Sequence, residues 1–294
     1  MERTSKGDRI FYAVNAVIMV FLVVVCTYPI LYVIFASFSD SSQLMQHTGV
    51  LWRSLGFNTD AYQEVLKNKM LLITYRNTIV YLIIGVAINM VMTVMGAYVL
   101  SRQNVKIKSV LNILVVITMF FSGGIIPLYL TVKNYHMLDT IWSLTVPTAI
   151  NTWNLLIMRT SFSGLPKSLE ESAVIDGAGE FTVMTRIVLP LSQSILAVMA
   201  LFYGVGLWNG WFNASIFLRD RNMYPLQLFL REVLINSSTD SMMTGSAGAE
   251  ADRVGIAETI KYATIVVSTL PILCVYPFLQ KYFVKGVMVG ALKG

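Results

Sequence analysis

Six apolar stretches recur along the chain, at residues 13–37, 78–100, 110–132, 141–158, 191–218 and 259–279, each close to the length a bilayer demands. The hydrocarbon core of a membrane is about 30 Å thick, so a helix crossing it needs ~20 apolar residues. None of the six stretches carries Asp, Glu or Lys at its centre, and Lys261 stands at the edge of the last. The expected fold is therefore all-α, a polytopic membrane protein with six transmembrane helices. Composition agrees: 55% of the residues are hydrophobic and 13% charged, whereas a soluble domain carries about 25% charged residues. Cys26 and Cys274 both fall inside apolar runs. Free cysteine behaves there as a small hydrophobe, so no disulfide framework or metal site is implied.

An even number of spans leaves both termini on one side. That side holds twelve of the 22 basic residues, including Arg3, Lys6, Arg9, Arg102, Lys106 and Lys108, against six acids, while the opposite side holds ten of each sign. The positive-inside rule then places both termini in the cytoplasm. The net charge of +6 reads as a topology signal rather than as a nucleic-acid surface. A cleaved signal peptide is not expected, because the first apolar run is about 25 residues and a signal-peptide core is ~7–15. The organisation is a cytoplasmic segment 1–12, a membrane domain 13–279 with extracytoplasmic loops at 40–76 and 219–258, and a cytoplasmic tail 280–294. Residues 237–251, rich in Ser, Gly, Ala and Met, read as a mobile loop or lid. Gly123-Gly124 with Pro127 interrupt the third span, and Pro147 the fourth. Such breaks are tolerated in a membrane where neighbours or a cavity satisfy the freed backbone.

The cytoplasmic connection 165–190 is polar and the most acid-bearing of the inner segments. Pro166 stops the preceding structure, and Ser168-Leu169-Glu170-Glu171 has the form of a capping box, in which Ser168 and Glu171 satisfy each other's amides. A short helix should start there and end at Gly177, since glycine accepts the left-handed conformation that closes helices. A second helix over 179–188 carries Phe181, Met184, Ile187 and Val188 on one side, until Pro190 breaks into the fifth span. The result is a helix-turn-helix elbow along the inner surface. An ordinary amphipathic connection would look the same on these physical grounds.

Glu171-Ser172-Ala173, Gly177 and Ile187-x-Leu189-Pro190 together resemble the coupling loop of ABC importer permeases, with Ser172 in place of the usual first alanine. The tail, Lys281-Tyr282-Phe283-Val284-Lys285-Gly286 through Gly290-Ala291-Leu292-Lys293-Gly294, is similar to the carbohydrate branch of that family, the maltose-permease-like proteins. Gly7-Asp8-Arg9-Ile10-Phe11 and Phe121-Ser122-Gly123-Gly124-Ile125-Ile126-Pro127 resemble the subgroup linked to complex oligosaccharides. The resemblance implies a type I ABC importer permease fold in the cell membrane, with a cytoplasmic coupling helix-turn-helix. In the family this elbow docks into a cleft of a separate ATPase subunit. Gly177 would be its pivot, and Glu170, Glu171, Ser172, Ala173, Asp176 and Ala178 its ATPase-coupling residues. The implied partners are a homologous second permease subunit, two ATPase subunits and an extracytoplasmic sugar-binding protein that delivers an oligosaccharide substrate.

Energy must then come from outside the chain. It contains no Gly-x4-Gly-Lys-Ser/Thr phosphate loop, so ATP and Mg belong to the partner ATPase and the chain itself is not expected to be an enzyme or to carry a cofactor. A proton- or sodium-driven transporter would show an intramembrane carboxylate or histidine on its pathway. None is visible, and the two histidines, His47 and His136, lie outside or at the interface and form no HExxH pattern.

Substrate candidates are the polar and aromatic residues inside the spans. The fifth span carries Trp208, Asn209, Trp211 and Asn213. A sugar offers an apolar ring face and a rim of hydroxyls, which an aromatic face and an amide answer. Asn151, Trp153 and Asn154 form a second set in the fourth span. Interfacial anchoring or helix packing explains the tryptophans equally well. Asn89 reads as an interhelical hydrogen bond, and Met90, Met92 and Met95 as packing. The functional expectation is a permease translocating oligosaccharides. A non-transporting membrane sensor or scaffold that keeps the elbow, or an importer of a non-sugar solute, is the alternative.

Overall fold

The computed structural model describes residues 6–243 and 258–274, with side chains at 7–235 and 258–274. The tail 280–294, the end of the expected sixth span and most of the expected lid lie outside the described residues. Among those residues the regular structure is helical, apart from an isolated antiparallel bridge between Ser39 and Phe57. The chain divides into two compact units, residues 1–69 with 230–271 and residues 70–229 with 272–294.

In the first unit, α1 (Lys6–Ser37) is apolar on every face, and none of its most apolar window is buried. A helix of that kind belongs in lipid or against another apolar surface. Its length, about 48 Å at 1.5 Å per residue, exceeds the hydrocarbon thickness. The loop that follows is built from short capped helices. The Asp40 carboxylate accepts from the amides of Ser42 at 3.1 Å and Gln43 at 3.2 Å and so starts α2 (Ser41–Gln46). The Ser42 hydroxyl, and after it the Gln43 amide, hold the Asp40 carboxyl below its ordinary value. Next comes α3 (Asp60–Lys67), whose Tyr62 hydroxyl lies 2.7 Å from Ser37 Oγ. Ala36, Leu44 and Leu51 form the local core, packed by Tyr32, Phe35 and Tyr262, the last from the helix 258–274. Segment 40–76 is thus largely helical.

In the second unit the organising element is α4 (Lys69–Ser101). Its buried positions include Leu71, Thr74, Thr78, Tyr81, Gly85, Asn89, Thr93, Ala97 and Ser101, one every three or four residues. Most are small or polar. Ile79, Ile83, Met92 and Met95 project from its other faces. In lipid there is no hydrophobic drive between helices, so small and hydrogen-bonding residues make the contacts. Gly85 shows how close the approach is, because a Cβ added there would lie 2.7 Å from Leu207 Cδ1.

The third, fourth and fifth expected spans are broken. Helices α5 (Lys108–Phe120) and α6 (Ile125–Asn134) meet at 113° across residues 121–124. The fourth span is interrupted where Pro147 was expected to interrupt it: α7 (Trp142–Thr145) stops before Pro147, and α8 (Thr152–Ser163) restarts after Asn151, whose side chain accepts from the Asn154 amide at 3.1 Å. The expected fifth span is interrupted as well, since α12 (Gln193–Trp208) ends at Asn209-Gly210 and α13 (Phe212–Phe217) follows. Among the described residues two helices are long and apolar enough to cross a membrane, or up to four if each bent pair is one span.

Three local expectations need correction. The elbow helix α9 (Lys167–Ile175) starts one residue before Ser168, from Pro166, without a side-chain cap, so the capping box does not form. Pro166 already holds a fixed φ suited to the entry of a helix. Pro190 does not break the second arm, which runs from Glu180 to Leu191 through α10 (Glu180–Val183), a π turn at Met184–Val188 and α11 (Leu189–Leu191). The π turn, with its altered hydrogen-bond register, precedes the proline at the first turn of α11, where proline is tolerated. The 85° bend comes instead at Ser192. Finally, residues 237–243 of the expected lid belong to the helix α14 (Leu226–Met243).

Candidate functional site

A cavity of about 380 Å³ opens within the second unit. Helix α4 contributes Thr78, Tyr81 and Asn89, the α7–α8 region Thr148, Asn151 and Asn154, α12 with its following turn Phe202, Tyr203, Asn209 and Trp211, and α13 Asn213. Broken spans create this lining. Each interruption, at 146–151 and at 209–211, turns backbone and short polar side chains toward the interior. Among the described residues no charged side chain lines the cavity. Its polar wall is fixed by a hydrogen-bonded node: the Tyr203 hydroxyl accepts from the Asn151 amide at 3.1 Å and lies 2.6 Å from Thr93 Oγ1. Asn89 is buried, and its side-chain carbonyl oxygen has no hydrogen-bond partner among the described residues. At one end a strap closes over α4. Asn77 donates to the carbonyl oxygens of Asn222 at 2.6 Å and Tyr224 at 3.1 Å, the Tyr81 hydroxyl to that of Met223 at 2.8 Å, and the Leu226 amide to Thr78 Oγ1 at 2.8 Å.

The elbow forms a second site in the same unit. Gly177 sits between its arms with φ at +83°, and a Cβ there would meet nothing within 4 Å. The glycine is required by the backbone and not by space. Ala173 and Ala178 pack toward a core that includes Phe162, Val183 and Val188, whereas Ile175 at 85% and Phe181 at 74% exposure point away from it. Both arms are tied to the end of α4. Glu170, on the first arm, forms an ion pair with Arg102, and Glu180, on the second, accepts from the Tyr98 hydroxyl at 2.5 Å. The Arg102 guanidinium stands 4.3 Å above the Tyr98 ring. A cleft of about 830 Å³ lies alongside, lined by Arg102, Lys108, Lys167, Glu170, Glu171 and Glu180 among others.

Of the residues singled out from sequence, Asn151, Asn154, Asn209, Trp211 and Asn213 come together at the cavity. Trp208 is buried outside its lining, with an unpartnered indole nitrogen, and Trp153 is 60% exposed. At the elbow, Glu171, Ser172 and Asp176 are exposed and Glu170 is turned inward onto Arg102. Sequence reasoning missed Tyr81, Tyr203, Tyr98, Arg102 and Glu180. The polar and small residues at 74, 78, 81, 85, 89, 93, 97 and 101 were the available signal, a single stripe on an otherwise apolar helix.

Membrane-length and sharply bent helices around an uncharged polar cavity, with an exposed elbow braced against one of those helices, define a helical membrane transport component. Residues 94–289 match the family of binding-protein-dependent transport system inner membrane components, and the chain belongs to that family. It is 40% identical over 291 residues to the protein LplC of Bacillus subtilis (strain 168), covering 99% of this chain and 97% of that one. It is 38% identical to the polygalacturonan/rhamnogalacturonan transport system permease protein YtcP of the same organism, covering 98% of this chain and 99% of that one. Among solved structures it is similar to a chain of a bacterial ABC transporter involved in the import of the acidic polysaccharide alginate, with a TM-score of 0.86, 31% identity and coverage of 96% of this chain and 100% of that chain. The chain is thus a membrane-embedded component of a binding-protein-dependent transport system, similar over nearly its whole length to a permease protein and to a chain of an ABC importer.

Proposed function

We propose that this permease moves oligosaccharides, delivered by an extracytoplasmic binding protein, through the cavity beside Asn89, Asn151 and Trp211. The observation that carries the reading is the cavity's chemistry: amides and hydroxyls that both donate and accept, set against Phe202, Trp211 and Phe212, with no charge in the lining. That mixture answers a sugar's hydroxyl rim and apolar ring face. In this account six spans cross the membrane and both termini are cytoplasmic. A homologous second permease completes the pathway, and two ATPase subunits beneath the pair supply the energy. The elbow is the ATPase contact, with the exposed Ile175 and Phe181 as apolar anchors and Gly177 as pivot. Closure of the ATPases on ATP moves the elbow and opens the cavity outward; hydrolysis returns it to the cytoplasmic side, an alternating-access cycle about a midplane site.

The test is reconstitution in lipid vesicles of the chain with its partner permease, ATPase and binding protein. The vesicles are then given fragments of polygalacturonan, rhamnogalacturonan, alginate and maltodextrin in turn. Uptake and stimulated ATP hydrolysis with one oligosaccharide class support the proposal. Assembly with the ATPase but no flux for any sugar would turn the reading toward a sensor or a non-sugar cargo.

A further inference from the structure

We propose that Arg102 and Tyr98 are positioning residues that make α4 the mechanical link between the elbow and the cavity. The inference rests on the elbow reading above. Helix α4 is continuous from Lys69 to Ser101, and one buried stripe along it carries both sets of contacts. Thr78, Tyr81 and Asn89 line the cavity, while Tyr98 and, one residue beyond the helix, Arg102 hold the elbow. From Asn89 to Arg102 is about 20 Å of helix at 1.5 Å per residue. No loop or hinge intervenes.

The grip is made on both sides of the pivot. Glu170 precedes Gly177 and Glu180 follows it, so the two arms are held by two adjacent α4 groups whose own contact is the Arg102 guanidinium over the Tyr98 ring. With side chains only 15% and 21% exposed, the Arg102–Glu170 pair lies largely out of water. Such a pair is screened less than a surface ion pair, and losing one partner strands a charge. Tyr98 is buried, and its hydroxyl donates to both the Glu180 carboxylate at 2.5 Å and the Glu180 carbonyl at 3.1 Å. Ser101 is tied in as well, its carbonyl accepting from Lys108 Nζ at 3.3 Å. A displacement of the elbow about Gly177 therefore pulls on the end of a rigid helix whose other turns form the cavity wall. Glu170, read from sequence as an ATPase contact, acts in this account toward α4.

The experiment uses the complete importer in vesicles, with Cys26 and Cys274 replaced by serine and a single reporter cysteine at the cavity, Thr148→Cys. The rate of labelling by a membrane-impermeant thiol reagent is read with and without ATP, alongside recovery of the ATPase with the complex. Arg102→Glu is expected to reduce the ATP-dependent change in labelling by about 5-fold or more, in the range of ordinary allosteric couplings. The double variant Arg102→Glu/Glu170→Arg should restore at least half of the change, which a merely structural role would not predict. Tyr98→Phe, which removes only the hydroxyl, should give a partial loss and keeps the test open if the charge reversal fails to assemble. An undiminished ATP response in both Arg102→Glu and Tyr98→Phe, with Gly177→Val losing it, would overturn this inference and leave the elbow reading standing. A loss in Arg102→Glu that the charge swap does not restore would also overturn it. No ATP response in the unaltered chain, and no effect of Gly177→Val on uptake, would overturn the elbow reading and this inference with it.

Discussion

The Tyr203 hydroxyl lies 2.6 Å from Thr93 Oγ1, a buried contact that joins α12 to α4 beside the cavity. Because the same hydroxyl accepts from the Asn151 amide, it also fixes the start of α8. Tyr203→Phe leaves two partners unsatisfied and is expected to cost about 1–2 kcal/mol, the scale of interhelical hydrogen bonds in membranes. Thermal unfolding of the purified chain in detergent, with Thr93→Val as the matched variant, measures this. A double variant that loses no more than Tyr203→Phe alone confirms one shared node, and additive losses contradict it.

The α4–α12 seam is close-packed at Gly85, where an added Cβ falls 2.7 Å from the Leu207 side chain. Gly85→Ala should be mild, because the end of a leucine can rotate away. Gly85→Leu should push the helices apart and lower stability by about 1–3 kcal/mol, as overpacking does. Adding Leu207→Ala to Gly85→Leu is expected to recover most of that loss in the same unfolding measurement.

Trp211 faces the cavity with its ring edge-on to Phe212 at 5.5 Å between centroids. Trp211→Ala should raise the sugar concentration that gives half-maximal uptake by about tenfold, matching roughly 1.4 kcal/mol of stacking, with little change in ATPase activity without sugar. Trp153→Ala, outside the cavity lining, is the control and should leave the half-maximal concentration unchanged.

Asp139 ties the α6–α7 turn to the segment after α13. The backbone amide of Arg219, and after it that of Asp220, donate to its carboxylate and hold that carboxyl below its ordinary value. A carboxyl depressed in the folded state contributes stability that is fully present above its unfolded value, about 3.9, and that is lost as pH falls through the lower folded value. The melting-temperature difference between the unaltered chain and Asp139→Asn is therefore expected to be constant near neutrality and to shrink below about pH 4. A difference that grows on acidification would contradict the assignment.

How much of this was legible in sequence differs from element to element. The apolar run at 78–100 announced α4, because a long unbroken apolar stretch has one low-energy solution in lipid. Gly177 stands at positive φ between two helical segments, where its residue type had placed a turn. Pro190 misled, since a π turn upstream changes the register in which a proline does harm, and nothing local in Met184–Val188 signals that turn. The amides of the cavity were visible as residue types, and Pro147 marked the break in the fourth span, but the fifth was read as one continuous helix carrying both Trp208 and Trp211. The break at 209–211 separates them. Arg102 and Glu170 stood far apart in the chain, one read as a topology charge and the other as an ATPase contact, until the fold paired them.

The most direct measurement of the central claim is the ratio of sugar taken up to ATP hydrolysed, on the same vesicles, for the unaltered importer and for Gly177→Val. Valine resists the +83° backbone at this position, at a cost of about 1–2 kcal/mol or more, while the open space around it leaves folding of the spans undisturbed. The account predicts sugar-stimulated hydrolysis coupled to uptake in the unaltered importer, and continued hydrolysis with at least a tenfold lower ratio, about 1.4 kcal/mol of lost coupling, in the variant. An unchanged ratio would contradict the elbow's role, and the absence of sugar-stimulated uptake in either would contradict the permease's proposed cargo.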